Sequence, residues 1–266
     1  MIAPAALADL ALVEASEALG CGCMEGTGPA GDAVLDFWVP APGPDPDALA
    51  ARLAARGVPA RVSTAAEDGA WRDAMAAFHR PVEVAGRLLV RPPWEAPRPP
   101  LLDVEIDPGM AFGTAQHGTT RACLAMLAGL PVDAGGALDA GCGSGVLSIA
   151  ARRLGWDPVW SLDADPLAVA ATVANARRNG VSLRVAPRMI GRDPLPAAPL
   201  VLANLTATVL RLLAAALPEP APRHLIASGM RPEEVDGVVE AFSARGLREV
   251  RRVEDEGWAT ALLERA

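Results

Sequence analysis

One stretch limits the fold more than any other. The apolar run Ala137-Leu138-Asp139-Ala140 turns through Gly141-Cys142-Gly143-Ser144-Gly145 into Val146–Leu154, where apolar residues recur at helical spacing. Three glycines in a strand-to-helix turn let the backbone adopt positive φ and approach a ligand closely, with the first N–H groups of the helix facing it. The pattern then repeats. Val159–Leu162 predicts a strand, Pro166–Asn179 a helix closed by Gly180, Leu200–Ala203 a strand and Val209–Leu217 a helix. His224–Ala227 predicts a further strand and Pro232–Ala244 a helix closed by Gly246. Strands joined by helical crossovers imply an open α/β sheet, mostly parallel, with helices on both faces. Leu247–Val253 and Trp258–Leu263, either side of Gly257, read as a closing antiparallel pair.

The segment before this pattern is of another kind. Residues 1–66 read as a small α+β unit: a helix over Leu7–Leu19 ending at Gly20, a strand over Val34–Val39, a helix capped by Asp45 or Asp47 and running to Arg56, and a strand over Val58–Ser63. The unit carries eight acidic side chains against three arginines. Residues 67–80 form a connector in which Trp71, Met75 and Phe78 mark one face of a short helix. A strand over Val82–Val90 then opens the larger domain, 81–266.

Composition excludes several chemistries. All 24 basic residues are arginine, and the chain has neither Lys nor Tyr. That removes Schiff-base and pyridoxal-phosphate catalysis, the lysine of a phosphate-binding loop, and tyrosine acid–base chemistry. Of Cys21, Cys23, Cys123 and Cys142 only the first two are close, with no His beside them, so no metal site is expected. Hydrophobic residues make up 51% of the chain, enough for a packed core, yet no run is long enough to span a membrane. With Asp9 and Glu14 in place of a basic leader, a cytoplasmic protein is expected.

The acid two residues before the first glycine sharpens the reading of the turn. Asp139 makes it Asp-x-Gly-x-Gly-x-Gly, whereas the dinucleotide spacing needs a small residue where Val146 stands. This pattern resembles the first motif of class I S-adenosylmethionine (SAM) methyltransferases. A second carboxylate at the end of the next strand can accept hydrogen bonds from both ribose hydroxyls, and Asp163 stands there, 22 residues after Gly141. Asp165, next to Pro166, is the better N-cap. Asn204, at the carboxyl end of a third strand, suits either a crevice contact that orients an amine or the N-cap of the helix that follows.

Asp107-Pro108-Gly109-Met110-Ala111-Phe112-Gly113-Thr114-Ala115-Gln116-His117-Gly118-Thr119-Thr120 narrows the resemblance. It is similar to the SAM-covering loop of the ribosomal protein L11 methyltransferase family (PrmA), differing at Ala115, where that family has Gly. Trp71, Phe78, Arg80-Pro81, Pro93-Trp94-Glu95, Asn179-Gly180-Val181, Ser228-Gly229-Met230 and Glu256-Gly257-Trp258 follow in the family's order. Read without the family, the segment is a glycine-hinged lid with Thr119 or Thr120 capping a helix to Leu130, and His117 is a structural histidine.

The resemblance implies a Rossmann-like class I SAM methyltransferase sheet, mostly parallel with an antiparallel final strand. A small ferredoxin-like α+β domain for substrate recognition precedes it, shortened here and without an opening strand before Leu7. It implies SAM as methyl donor, held by Thr120, Gly141, Asp163 and Asn204, with Phe112, Asp139, Gly143 and Gly145 completing the cofactor set. Asn204 positions the acceptor amine and His117 is a secondary catalytic candidate. The implied substrate is ribosomal protein L11, with a monomer the expected state. The alternatives are a different protein or small amine as acceptor, or a SAM-binding protein without catalysis. Nucleic acid is disfavoured by the acidic balance, net charge −8.

Overall fold

The computed structural model describes residues 1–4, 7, 11, 15, 23–27, 32–37, 45–63, 79–107, 115–132 and 135–266. The chain divides into two compact units, Met1–Trp71 and Arg72–Ala266. The connector helix expected around Trp71, Met75 and Phe78 lies outside the described residues.

In the first unit, β1 (Ile2–Ala3), β2 (Cys23–Thr27) and β3 (Ala33–Phe37) form an antiparallel sheet in the order β1-β3-β2. An antiparallel bridge joins Ile2 to Arg61 on the other side of β1, with N–H···O distances of 2.8 and 2.9 Å. Between β3 and that bridge runs α1 (Pro46–Ala55), capped by Asp45, whose carboxylate accepts the Asp47 N–H at 3.0 Å. Ala11 and Ala15, four apart, are helical and buried against Ala3, Leu35, Leu49, Leu53 and Val58. The expectation of a missing opening strand is thus corrected: first and third strands are central, as in a ferredoxin-like βαββαβ unit. Two residues are too few to show a period-2 alternation, so Ile2-Ala3 could not be read as a strand. The strand expected over Val58–Ser63 is reduced to the bridge at Arg61.

The second unit opens with a three-stranded sheet, β4 (Val82–Val84), β5 (Leu88–Arg91) and β6 (Leu102–Glu105). The single strand expected over Val82–Val90 is a hairpin, because Ala85 and Gly86 both take positive φ, +52° and +63°, in the turn between the paired residues Val84 and Leu88. The main sheet comprises β7 (Ala137–Ala140), β8 (Val159–Asp163), β9 (Arg184–Pro187), β10 (Leu200–Asn204), β11 (His224–Met230), β12 (Leu247–Asp255) and β13 (Trp258–Arg265). Its order is β12-β13-β11-β10-β7-β8-β9. The five strands from β9 to β11 are parallel, and β13 runs antiparallel to both of its neighbours. This is the expected Rossmann-like sheet.

Among the described residues, five helices cover it: α2 (Gly118–Gly129), α3 (Val146–Leu154), α4 (Pro166–Arg178), α5 (Ala207–Ala216) and α6 (Val235–Ser243), the last preceded by a 3-10 turn over Pro232–Glu234. One core layer packs α2 and α3 through Leu124, Leu127, Ile149 and Trp156. The other packs α5 and α6 through Leu210, Leu213, Val238 and Phe242. Among the described residues no helix is long and apolar enough to cross a membrane. From β7 the chain steps outward through β8 to β9, then returns to β10 on the other side. That reversal opens a crevice at the carboxyl ends of β7, β8 and β10, where open α/β sheets bind ligands.

Candidate active site

The glycine turn at the end of β7 is held from within. The N–H groups of Gly141 and Cys142 both donate to the Leu162 carbonyl, at 2.8 and 3.0 Å. Gly141 and Gly145 each have φ of +83° and Gly143 has +53°, a region that L side chains enter only with strain. The Ser144 hydroxyl accepts the Val146 N–H at 3.3 Å, and Asp163 Oδ2 accepts the Gly143 N–H at 3.0 Å. Two of the N–H groups expected to face a ligand are therefore taken by side chains of the site itself.

The two carboxylates sit in contrasting surroundings. Asp139 is fully buried; its Oδ2 accepts the Ser148 hydroxyl at 2.5 Å, and Ser148 in turn accepts Ser161 at 2.7 Å. Its Oδ1 has no hydrogen-bond partner among the described residues. Burial pushes its carboxyl up to about 7, against the opposing pull of the Ser148 hydrogen bonds. Asp163 is half-buried at the end of β8, and its Oδ1 accepts the Asp165 N–H at 3.0 Å. Asp165 caps α4 through the Leu167 N–H at 2.8 Å, as expected from its place before Pro166.

Across the crevice, β10 runs through Asn204 and α5 is capped at Thr206, which sets aside Asn204 as a helix cap. The Asn204 Nδ2 donates to Thr119 Oγ1 at 3.1 Å and Thr120 Oγ1 at 3.4 Å. The cap of α2 is a correction: it is His117, not Thr119 or Thr120. His117 Nδ1 accepts the Thr119 N–H at 3.4 Å and lies 2.8 Å from Thr119 Oγ1, so Asn204, Thr119 and His117 form one chain of polar contacts. The imidazole meets the edge of Trp258 at 5.3 Å, and the Arg231 guanidinium stacks 4.1 Å from the ring centre of the same Trp258. Residues 108–114, Phe112 included, lie outside the described residues. Ala115, just beyond them, is buried with φ of +62°.

Thus the structure brings Asp139, Gly141, Gly143, Gly145, Asp163, Asn204 and Thr120 to one crevice, with His117 behind Thr119. Sequence reading missed Ser148, Thr119 as the nearer partner of Asn204, and the inner face of α4. There Thr172 donates to the Gly143 carbonyl at 2.9 Å and Asn175 to the Ser144 carbonyl at 2.9 Å. The available signal was polar residues at Thr172, Asn175 and Asn179, spaced three and four apart on a face that otherwise buries Ala168 and Ala176. No cluster of metal-binding side chains occurs among the described residues.

Comparison with known proteins bears on this crevice. A family model described as ribosomal protein L11 methyltransferase (PrmA) matches residues 49–266. The ribosomal protein L11 methyltransferase of Symbiobacterium thermophilum is 38% identical over 203 residues, 74% of this chain and 66% of that relative. Its counterpart from Pectobacterium atrosepticum is 42% identical over 182 residues, 66% of this chain and 61% of that relative. The chain therefore spans just under two thirds of the length of these curated relatives. The crystal structure of ribosomal protein L11 methylase from Lactobacillus delbrueckii subsp. bulgaricus aligns with a TM-score of 0.62 at 25% identity, over 70% of this chain and 99% of that one.

Proposed function

The chain belongs to the ribosomal protein L11 methyltransferase family, and from that premise we propose that it methylates amino groups of ribosomal protein L11, lysine ε-amines and the N-terminal α-amine, with SAM as donor. The observation that carries the reading is the pair of carboxylates about the glycine turn, Asp139 beneath it and Asp163 at its rim, with Asn204 across the switch point.

The donor set fits a cationic nucleoside. A buried carboxylate oxygen without a partner, Asp139 Oδ1, is costly to leave bare and suits a cationic or hydrogen-bond-donating ligand group. The Asp163 oxygens each take one backbone N–H and retain acceptor capacity for ribose hydroxyls. When bound, SAM supplies a methyl group on a sulfonium, transferred in line to a neutral amine.

The chain's part is then to orient that amine and favour its neutral form. A lysine near pKa 10.4 is neutral about once in 2,500 at pH 7, and an α-amine near 7.8 about once in seven. Asn204, its Nδ2 engaged by two threonine hydroxyls, offers its side-chain oxygen to an amine N–H. His117 is committed as a helix cap, so desolvation of the acceptor, rather than a strong base, lowers its protonation. A ribosomal acceptor makes the cytoplasm the working compartment.

The test is incubation of the purified chain with methyl-labelled SAM and recombinant L11. Label in L11 supports the reading. SAM uptake without transfer to L11 removes this substrate, and no uptake removes the cofactor as well.

A further inference from the structure

Helix α4 carries a buried polar edge that the reaction scheme above does not use. Asn175 is 2% exposed and divides its amide between two segments. Its Nδ2 donates to the Ser144 carbonyl of the glycine turn at 2.9 Å, and its Oδ1 accepts the Asp107 N–H at 3.0 Å. Thr172, one turn earlier, donates to the Gly143 carbonyl at 2.9 Å. Asn179, one turn later, bonds both the N–H and the carbonyl of Glu105, at 2.9 and 2.6 Å, and the Asn175 carbonyl at 2.8 Å, with no bond to the glycine turn. Two consecutive carbonyls of the turn, Gly143 and Ser144, are thus drawn toward α4. A peptide unit is rigid, so fixing its carbonyl on one side fixes its N–H on the other. Gly143 and Gly145 at positive φ leave the turn conformationally permissive, and hydrogen bonds of this kind select one arrangement.

We propose that Asn175, with Thr172, is a positioning residue for the cofactor: it holds the glycine turn in its ligand-binding shape and ties it to the backbone at Asp107. The inference rests on the SAM reading for the identity of the ligand it serves. Neither residue touches the ligand in this scheme; both act through the Gly143–Ser144 backbone. The amide side chain is required because one end must donate to a carbonyl while the other accepts an N–H. A carboxylate keeps the Asp107 bond and sets two acceptors against each other at Ser144.

The experiment compares Asn175→Asp and Thr172→Val with Asn179→Ala, a variant on the same helix that loses hydrogen bonds away from the turn. Calorimetry should show SAM Kd raised about tenfold in each of the first two, equivalent to one lost hydrogen bond, and within about twofold of wild type in Asn179→Ala. Amide hydrogen exchange without ligand should show faster exchange at Gly145, whose N–H shares a peptide unit with the Ser144 carbonyl, in Asn175→Asp, with the Asp107 amide still protected. Unchanged Kd in the α4 variants, an equal rise in Asn179→Ala, or unchanged glycine-turn exchange overturns the proposal. Thr172→Val preserves shape and decides the matter should Asn175→Asp not fold. Wild-type protein that takes up no SAM removes the cofactor reading alone, and the exchange pattern then decides the positioning role.

Discussion

The side chain of Leu205 occupies the space that a Cβ on Gly141 would need: the added carbon would sit 2.4 Å from Leu205 Cδ2. The backbone of Leu205 is as tightly held, since a Cβ on Gly229 would lie 2.6 Å from the Leu205 oxygen, and the Leu205 N–H donates to the Ser228 carbonyl at 2.8 Å. Leu205 therefore keys together the loops after β7 and β10 and the end of strand β11. Gly141→Ala meets both this contact and a φ of +83°. It should lose about 2–4 kcal/mol of stability in denaturant titrations, from overpacking plus left-handed strain, and bind SAM at least about tenfold more weakly. Wild-type stability and affinity in that variant would show that the turn tolerates a side chain.

The Asp139 carboxyl, lifted by burial from 3.8 to about 7, makes stability depend on pH in an unusual direction for an acid. Between those values the folded protein keeps a proton that the unfolded chain has released. The stability this group contributes is therefore full below about pH 4 and lost as pH rises through 7. Asp139→Asn cannot ionise, so its unfolding free energy from urea titrations should gain on the wild type between pH 5 and 8, by on the order of 2 kcal/mol. Parallel curves would mean that Asp139 is already ionised at pH 5. A cationic ligand favours the carboxylate, so SAM should also bind more tightly as pH passes 7.

Ala115 at φ +62° holds a conformation that glycine adopts without a steric penalty. Left-handed strain of about 1–2 kcal/mol is partly offset by the greater freedom of an unfolded glycine. Ala115→Gly should raise stability by up to about 1 kcal/mol, read as a higher Tm. A lower Tm would show that the buried methyl group contributes more through packing than its backbone costs.

Asn204 acts on the acceptor more than on the cofactor in the mechanism proposed above. Asn204→Ala should lower kcat for L11 by about 10²-fold, as misplaced reacting groups do, with a much smaller change in SAM Kd. His117→Ala, which removes a helix cap, should lose about 1 kcal/mol of stability and leave the shape of the pH–rate profile unchanged. Loss of the low-pH limb from that profile would instead identify His117 as a base.

The excess of acids in residues 1–66 bears on substrate capture. Charge attraction to a cationic ribosomal protein weakens as salt screens it, so KM for L11 should rise with ionic strength between 0.05 and 0.5 M while SAM Kd stays nearly constant. A flat KM would leave that charge as a solubility feature.

Much of the second unit was legible because the inner parallel strands β7, β8, β10 and β11 are short apolar runs bounded by glycine or proline. Val146–Leu154 matches the helix residue for residue, and Asp165 caps α4 where Pro166 required it. Strands without that punctuation escaped notice. Arg184–Pro187 is a largely exposed edge, and Leu102–Glu105 alternates too briefly to show a buried face. Site residues that act through motif carbonyls, such as Thr172 and Asn175, carry no local signature, since their partners lie about 30 residues away. His117 was legible as a polar residue before a helix, but capping by an imidazole is rare enough that the neighbouring threonines drew the assignment.

The position of β13 between β11 and β12 sets the order in which the sheet can be completed. During synthesis, every parallel strand emerges before Trp258–Arg265. Until those residues arrive, Leu225–Ser228 presents one row of unpaired N–H and C=O groups, a template to which any extended segment could add. Gly229, near the end of β11 and pressed against Leu205, lies on that same open edge. A chain ended after Phe242 would leave that edge of β11 uncovered, and should self-associate more readily than the full chain in light scattering.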